Sequence, residues 1–185
     1  MIPKLKKLTM TSSKRYSALL AAVIIFAFVH EGIHALFAMV FAEYRSFRIH
    51  PYGLEVIYNT AVAEREGIKW GFISGMSNVS TLFFGYCLFL FRAKAGLLQS
   101  RFLRNLGYWT TLLLMLGDPF NLSIGPILYG GDIGGLVVGF GINKYLLQGV
   151  FFMILLFNRE LIAQGLLPVY GIKTNHPFFR PWLKL

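Results

Sequence analysis

His30, Glu31 and His34 fall in a His-Glu-x-x-His spacing inside an otherwise apolar run that covers residues 16–42. On a helix, positions i and i+4 lie about 40° apart, so His30 and His34 face the same way, one turn apart. Two imidazoles placed like this can share one Zn2+, with Glu31 beside them as general base on a metal-bound water. The spacing also arises by chance, and a single histidine in a helix is more often hydrogen-bonded packing than a ligand. The setting argues otherwise here. Ionisable groups inside a bilayer cost about 2.5–3.5 kcal/mol each on insertion scales, and they persist where they bind or pair. A cleaved signal peptide, with residues 40–42 as the small-residue site, would need a far shorter apolar stretch and would discard the motif.

The elements that must carry these residues follow from the composition. Of 185 residues, 56% are hydrophobic and 14% charged, against about 25% charged in soluble chains. The expected fold class is an all-α polytopic membrane protein with about four transmembrane helices. One domain spans residues 1–185, its membrane core at about 16–157 and a cytoplasmic tail at 158–185. The net charge of +10 accompanies no basic patch with interleaved aromatics, so no nucleic-acid partner is expected. Cys87 is the single cysteine; an intrachain disulfide and cysteine zinc ligands are both excluded.

The first membrane helix is expected over 16–42. Residues 47–58 show partial alternation around Pro51 and Gly53 and predict a short β-hairpin, with His50 at its surface. A second helix is expected over 68–91, where Asn78 among small residues can hydrogen-bond across the bundle. A third begins near Leu106 and is expected to break near Gly117, Asp118 and Pro119, because proline lacks the donor for the helix ladder. Residues 122–131, rich in Gly and Pro, should fold back onto the bundle. A short helix from Asp132, a bend near Gly141 and a last spanning helix from Asn143 complete the core. Basic residues without acids at 4–15 and 92–104, and a mostly basic tail, place both termini in the cytoplasm of a multi-pass protein of the cell membrane.

A catalytic zinc keeps three protein ligands and one open position. With Glu31 reserved as the base, the remaining intramembrane acids are Asp118 and Asp132. About 12 residues of helix from Leu106 rise ~18 Å, which sets Asp118 level with His30.

The chain resembles the site-2 protease family of intramembrane zinc metalloproteases. His30, Glu31 and His34 match its HExxH; Gly75 and Asn78 lie within a segment that loosely resembles its Gly-x-x-x-Asn. Phe120, Asn121, Leu122, Pro126 and Asp132 look like its Phe-Asn-Leu, Pro and Leu-Asp-Gly, whose aspartate is the third zinc ligand. Here Gly131-Asp132-Ile133 stands for Leu-Asp-Gly, with a wider spacing from Asn121. The resemblance covers residues 16–157 and implies a hairpin after the first core helix. Motif order favours Asp132 as third ligand and depth favours Asp118; Asp132 is chosen. Asn78 and Asn121 are expected to bind substrate or support backbone. The expected activity is zinc-dependent hydrolysis of peptide bonds in or near a membrane span of another protein. The alternative is a non-enzymatic metal-binding membrane protein: a degenerate protease scaffold, a metal transporter or a sensor.

Overall fold

The structure, a computed structural model, describes residues 12–51, 53–129 and 131–183, with the side chains of 12–15 left aside. The basic residues Lys4, Lys6 and Lys7 lie outside the described residues. Helix α1, Ser12–Val40, carries the His-Glu-x-x-His residues past its middle. It stops where Ala42 takes a left-handed φ of 57° and the amide of Glu43 returns to the carbonyl of Ala38 at 2.7 Å. That turn sends the chain straight into strand β1, Tyr44–His50, which pairs antiparallel with β2, Gly53–Tyr58. The hairpin thus begins three residues before the expected 47–58, with Phe47 opposite Val56 and an irregularity between Tyr44 and Ser46. Val56 packs on Ala35 and Ala38 of α1, small residues that let the strand approach the helix closely. The carboxylate of Glu43 takes Lys69 Nζ at 2.5 Å and the Thr60 amide at 3.2 Å, tying the hairpin's base to the next helix. The hydrogen bond from Lys69 holds the Glu43 carboxyl below the usual glutamate range.

Helix α2, Ile68–Leu90, and the short α3, Arg92–Gly96, lead to α4, Arg101–Ser123. A single turn, α5, Gly125–Leu128, precedes α6, Ile133–Phe140. Gly141, at φ 65°, ends α6, and Asn143 caps α7, Lys144–Leu161, by accepting the amides of Tyr145 and Leu146. The bend at Gly141 and the helix start at Asn143 are as the sequence predicts. Helix α7 does not stop at residue 157; it continues through a wide π-type turn, Ile162–Leu166, to Val169. Helices α1, α2 and α4 pack on one another, α6 lies against α2, and α7 against α4. Among the described residues, three helical stretches are long and apolar enough to cross a membrane: Tyr16–Val40, Ile68–Leu90 and Lys144–Val169. Helix α4 is of similar length but carries Arg101, Arg104, Asp118 and several hydroxyl and amide residues. Large apolar side chains such as Leu20, Phe28, Phe83 and Phe152 point outward from these helices, as lipid-facing surfaces require.

The expected break near Gly117 to Pro119 is corrected: α4 runs unbroken through Pro119 and ends one turn later, at Ser123. Pro119 leaves the carbonyl of Met115, four residues back, without its helix donor. Asn158 of α7 supplies the replacement, donating Nδ2 to Met115 O at 2.7 Å while its Oδ1 accepts Tyr86 Oη at 2.7 Å. A buried carbonyl left without a donor costs about 1–3 kcal/mol, so the amide from α7 lets the helix continue. Asn158→Ala should therefore lower stability by about that amount, read as a fall in thermal unfolding temperature beside the parent protein in the same lipid.

Candidate metal centre

Helix geometry brings His30 and His34 together with their Nε2 atoms 3.1 Å apart. Asp132, immediately before α6, places one carboxylate oxygen 3.1 Å from His30 Nε2 and the other 3.3 Å from His34 Nε2. The far nitrogens of the two rings meet different neighbours. His34 donates Nδ1–H to the carbonyl of Ile73 at 2.7 Å. His30 Nδ1 lies 3.0 Å from Asp118 Oδ1, close in distance though off the ideal hydrogen-bond direction. Neither of those two atoms has a hydrogen-bond partner among the described residues. His30 has a carboxylate at each nitrogen, Asp118 at Nδ1 and Asp132 at Nε2; a cation at Nε2 requires the tautomer protonated at Nδ1, the one His34 adopts by donating to Ile73.

In that tautomer, two imidazole lone pairs and a carboxylate converge on one point. Three acceptors 3.1–3.3 Å apart call for a positive charge between them. A proton on one ring would bridge a single pair; a cation at the centre satisfies all three. Tetrahedral ligands at about 2.0–2.1 Å from Zn2+ sit about 3.3 Å from one another. The donor set fits that ion in type and in spacing.

The supporting contacts are specific. Asp132 Oδ2 accepts Asn78 Nδ2 and Asn121 Nδ2, both at 3.1 Å, so the two asparagines singled out in the sequence clamp one carboxylate. Asn78 also bonds the carbonyl of Ser74 at 2.7 Å, and Asn121 Oδ1 accepts the Tyr129 hydroxyl at 3.0 Å. Asp118 is fully buried and accepts a hydrogen bond from Thr81. It is level with His30, as the helix rise predicts, but it meets the nitrogen that faces away from the other two donors. Ser77 Oγ stands 3.0 Å from His34 Nε2. Sequence reasoning passed over Ser77 and Thr81. The signal was present, since Ser74, Ser77, Asn78 and Thr81 repeat at three- and four-residue steps and form a polar stripe on an apolar helix.

Glu31 occupies the adjoining side. One of its carboxylate oxygens and a ring nitrogen of each histidine all lie within 4.8 Å of one another. Its Oε2 accepts the amide of Val56 at 3.2 Å, so strand β2 turns that amide towards the site. A cavity of about 350 Å3 opens here, lined by Phe26, His30, Glu31, Leu54, Asn121 and Tyr129 among others. His50 belongs to none of this; it pairs with Glu55 at 2.8 Å on the hairpin's exposed end.

Asp132 is held in place by the seat of α6. A Cβ on Gly139 would overlap the backbone of Gly71, and one on Gly135 would overlap Ser74 Oγ. Helix α6 thus lies directly on the α2 backbone, and Asp132 at its start inherits that position. Gly139→Ala should push α6 outward and weaken metal binding roughly ten- to hundredfold, as when a supporting group is lost. Titration of the purified variant with Zn2+ measures it.

Comparison with protein-family models, with curated proteins and with solved structures gives no match. The site stands on its geometry.

Proposed function

We propose that the chain is a membrane-embedded zinc metalloprotease of the site-2 type. It hydrolyses peptide bonds in or near a transmembrane segment of a protein substrate. The observation that carries this reading is the convergence of His30 Nε2, His34 Nε2 and the Asp132 carboxylate, with Glu31 beside them in an open cavity. His30, His34 and Asp132 would hold the ion, and Asp118 would orient His30 from behind, as second-layer carboxylates do for zinc-binding histidines. Bound there, Zn2+ would polarise a scissile carbonyl and lower the pKa of a water towards about 7.

The chain's own residues supply the rest. Glu31 takes the proton of the attacking water and hands it to the leaving amine. The Val56 amide orients that carboxylate from the hairpin side. A helical substrate has its amides paired internally and must unwind before cleavage; the free edge of β2 offers main-chain partners to the extended segment. A fourth membrane crossing by α4 and cytoplasmic termini complete the proposed topology. The end of the bundle with Arg92, Lys94, Arg101, Arg104 and Arg180 is strongly basic. The hairpin end balances Arg45, Arg48, Arg65 and Lys69 with Glu43, Glu55, Glu64 and Glu66.

Non-enzymatic metal binding would use the same ligands but would not need Glu31 as a base. Val56→Pro tests the hairpin's part. Proline removes the amide that reaches Glu31 and leaves no donor in its place. A hydrogen bond to a charged group contributes about 1.5–3 kcal/mol, so turnover of a membrane-inserted peptide should fall at least about tenfold with zinc retained. Unchanged turnover would remove the hairpin from the mechanism.

A further inference from the structure

The sequence reads residues 158–185 as a cytoplasmic tail; its first charges, Arg159 and Glu160, are 4% and 3% exposed. Their charged groups are spent on the chain's own final segment. Arg159 donates to the carbonyls of Pro177, Phe178 and Arg180 and pairs with Glu160. Its guanidinium lies over the Trp182 ring, 3.9 Å from the centroid. Glu160 accepts the amides of Trp182 and Leu183 at 3.0 and 3.1 Å, and Gln164 Nε2 at 2.7 Å. Residues 177–183 therefore fold back along the end of α7, fastened through main-chain atoms.

Burying an ion pair is costly, and in water a tail of this kind needs no such fastening, because solvent satisfies its carbonyls and amides. Non-helical backbone at membrane depth has no solvent to turn to and must be satisfied by protein. Arg159 and Glu160 do that, three carbonyls to one and two amides to the other. The side chains point the opposite way: Phe178, Trp182 and Leu183 are more than half exposed and Phe179 is 40% exposed. The segment lies beside Arg159, Glu160 and Gln164 in the last third of the Lys144–Val169 stretch, the part of the bundle where Arg92 donates to the Gly165 carbonyl and α3 packs on Leu167–Val169. Lys173 and Arg180 add two more cations, and the sole acid of the tail, Glu160, is neutralised internally.

We propose that segment 177–183 is an interfacial membrane anchor. Locked by Arg159 and Glu160, it seats Phe178, Phe179, Trp182 and Leu183 at the headgroup boundary of an anionic leaflet. Aromatic side chains favour that boundary, and each nearby Lys or Arg adds attraction to anionic lipid. The proposal is independent of the metal centre.

The test uses the full chain reconstituted in bilayers of phosphatidylcholine with or without phosphatidylglycerol, with bromine on the acyl chains near the headgroups or near the bilayer centre. Subtracting the emission of Trp182→Phe isolates Trp182 from Trp70 and Trp109. Shallow bromine should quench most of the Trp182 emission and central bromine little. Quenching should be stronger with phosphatidylglycerol at low salt, and Lys173→Gln with Arg180→Gln should remove that difference. A nitroxide on Phe179→Cys with Cys87→Ser, read by its collisions with oxygen and with an aqueous nickel chelate, gives the same depth without altering Trp182. Trp182 emission open to aqueous iodide and indifferent to bromine would overturn the proposal. So would a nitroxide exposed to the aqueous reagent, or equal quenching in neutral and anionic bilayers.

Discussion

Asp132→Asn should strip zinc from the purified protein, whereas Asp118→Asn should retain it with activity reduced about 10–100-fold. The difference comes from which atoms each carboxylate faces. Asp132 touches Nε2 of both histidines at 3.1 and 3.3 Å and brings the negative charge that makes the three-donor set a cation site. Asparagine in its place offers a neutral oxygen and an amide whose hydrogens point at the same centre. Asp118 faces Nδ1 of His30, the nitrogen turned away from the other two donors, at 3.0 Å. Losing its charge loosens the ring and leaves Thr81 without its acceptor, but both Nε2 lone pairs and Asp132 remain. Zinc stoichiometry of the two variants decides between them, and the reverse pattern would hand the third position to Asp118.

Glu31→Gln should leave zinc bound and lower cleavage of a membrane-inserted peptide by about 10²–10⁴-fold, the range over which a positioned general base contributes. Glutamine keeps the shape and can still accept the Val56 amide, so the hairpin contact survives while proton transfer does not. The variant separates the protease from a non-enzymatic metal protein. In the first case, metal content and turnover part company; in the second, Glu31→Gln changes neither. Turnover close to that of the parent would sink the general-base role.

How much of this was legible in the chain varies with the range of the interaction. His30, Glu31 and His34 are one helical turn, and their juxtaposition follows from 3.6 residues per turn alone. Pro51 and Gly53 announce the hairpin, and Gly141 with Asn143 the stop and restart before the last helix, because turn and cap chemistry is local. The Pro119 expectation failed for a non-local reason. The donor that lets α4 continue, Asn158, lies 43 residues beyond the Met115 carbonyl it satisfies, and no window around the proline contains it. Depth arithmetic brought Asp118 to the level of His30, but rise along a helix does not say which face of an imidazole a carboxylate meets. That depends on α6 resting on the α2 backbone at Gly71 and Ser74, where Gly139 and Gly135 leave room for it. Arg159 and Glu160 look like surface charges for the same reason, since their partners arrive only when residues 177–183 fold back.

The central claim is that two histidines and an aspartate inside the bundle hold a catalytic cation. Metal content of the purified protein beside a His34→Ala control tests it most directly. His34 is 2% exposed and contributes a donor that nothing else in the site replaces, so the account predicts stoichiometric zinc in the parent and nearly none in the variant, both still folded by their helical signal. Equal metal in the two proteins, or none in either after growth with zinc, would contradict it.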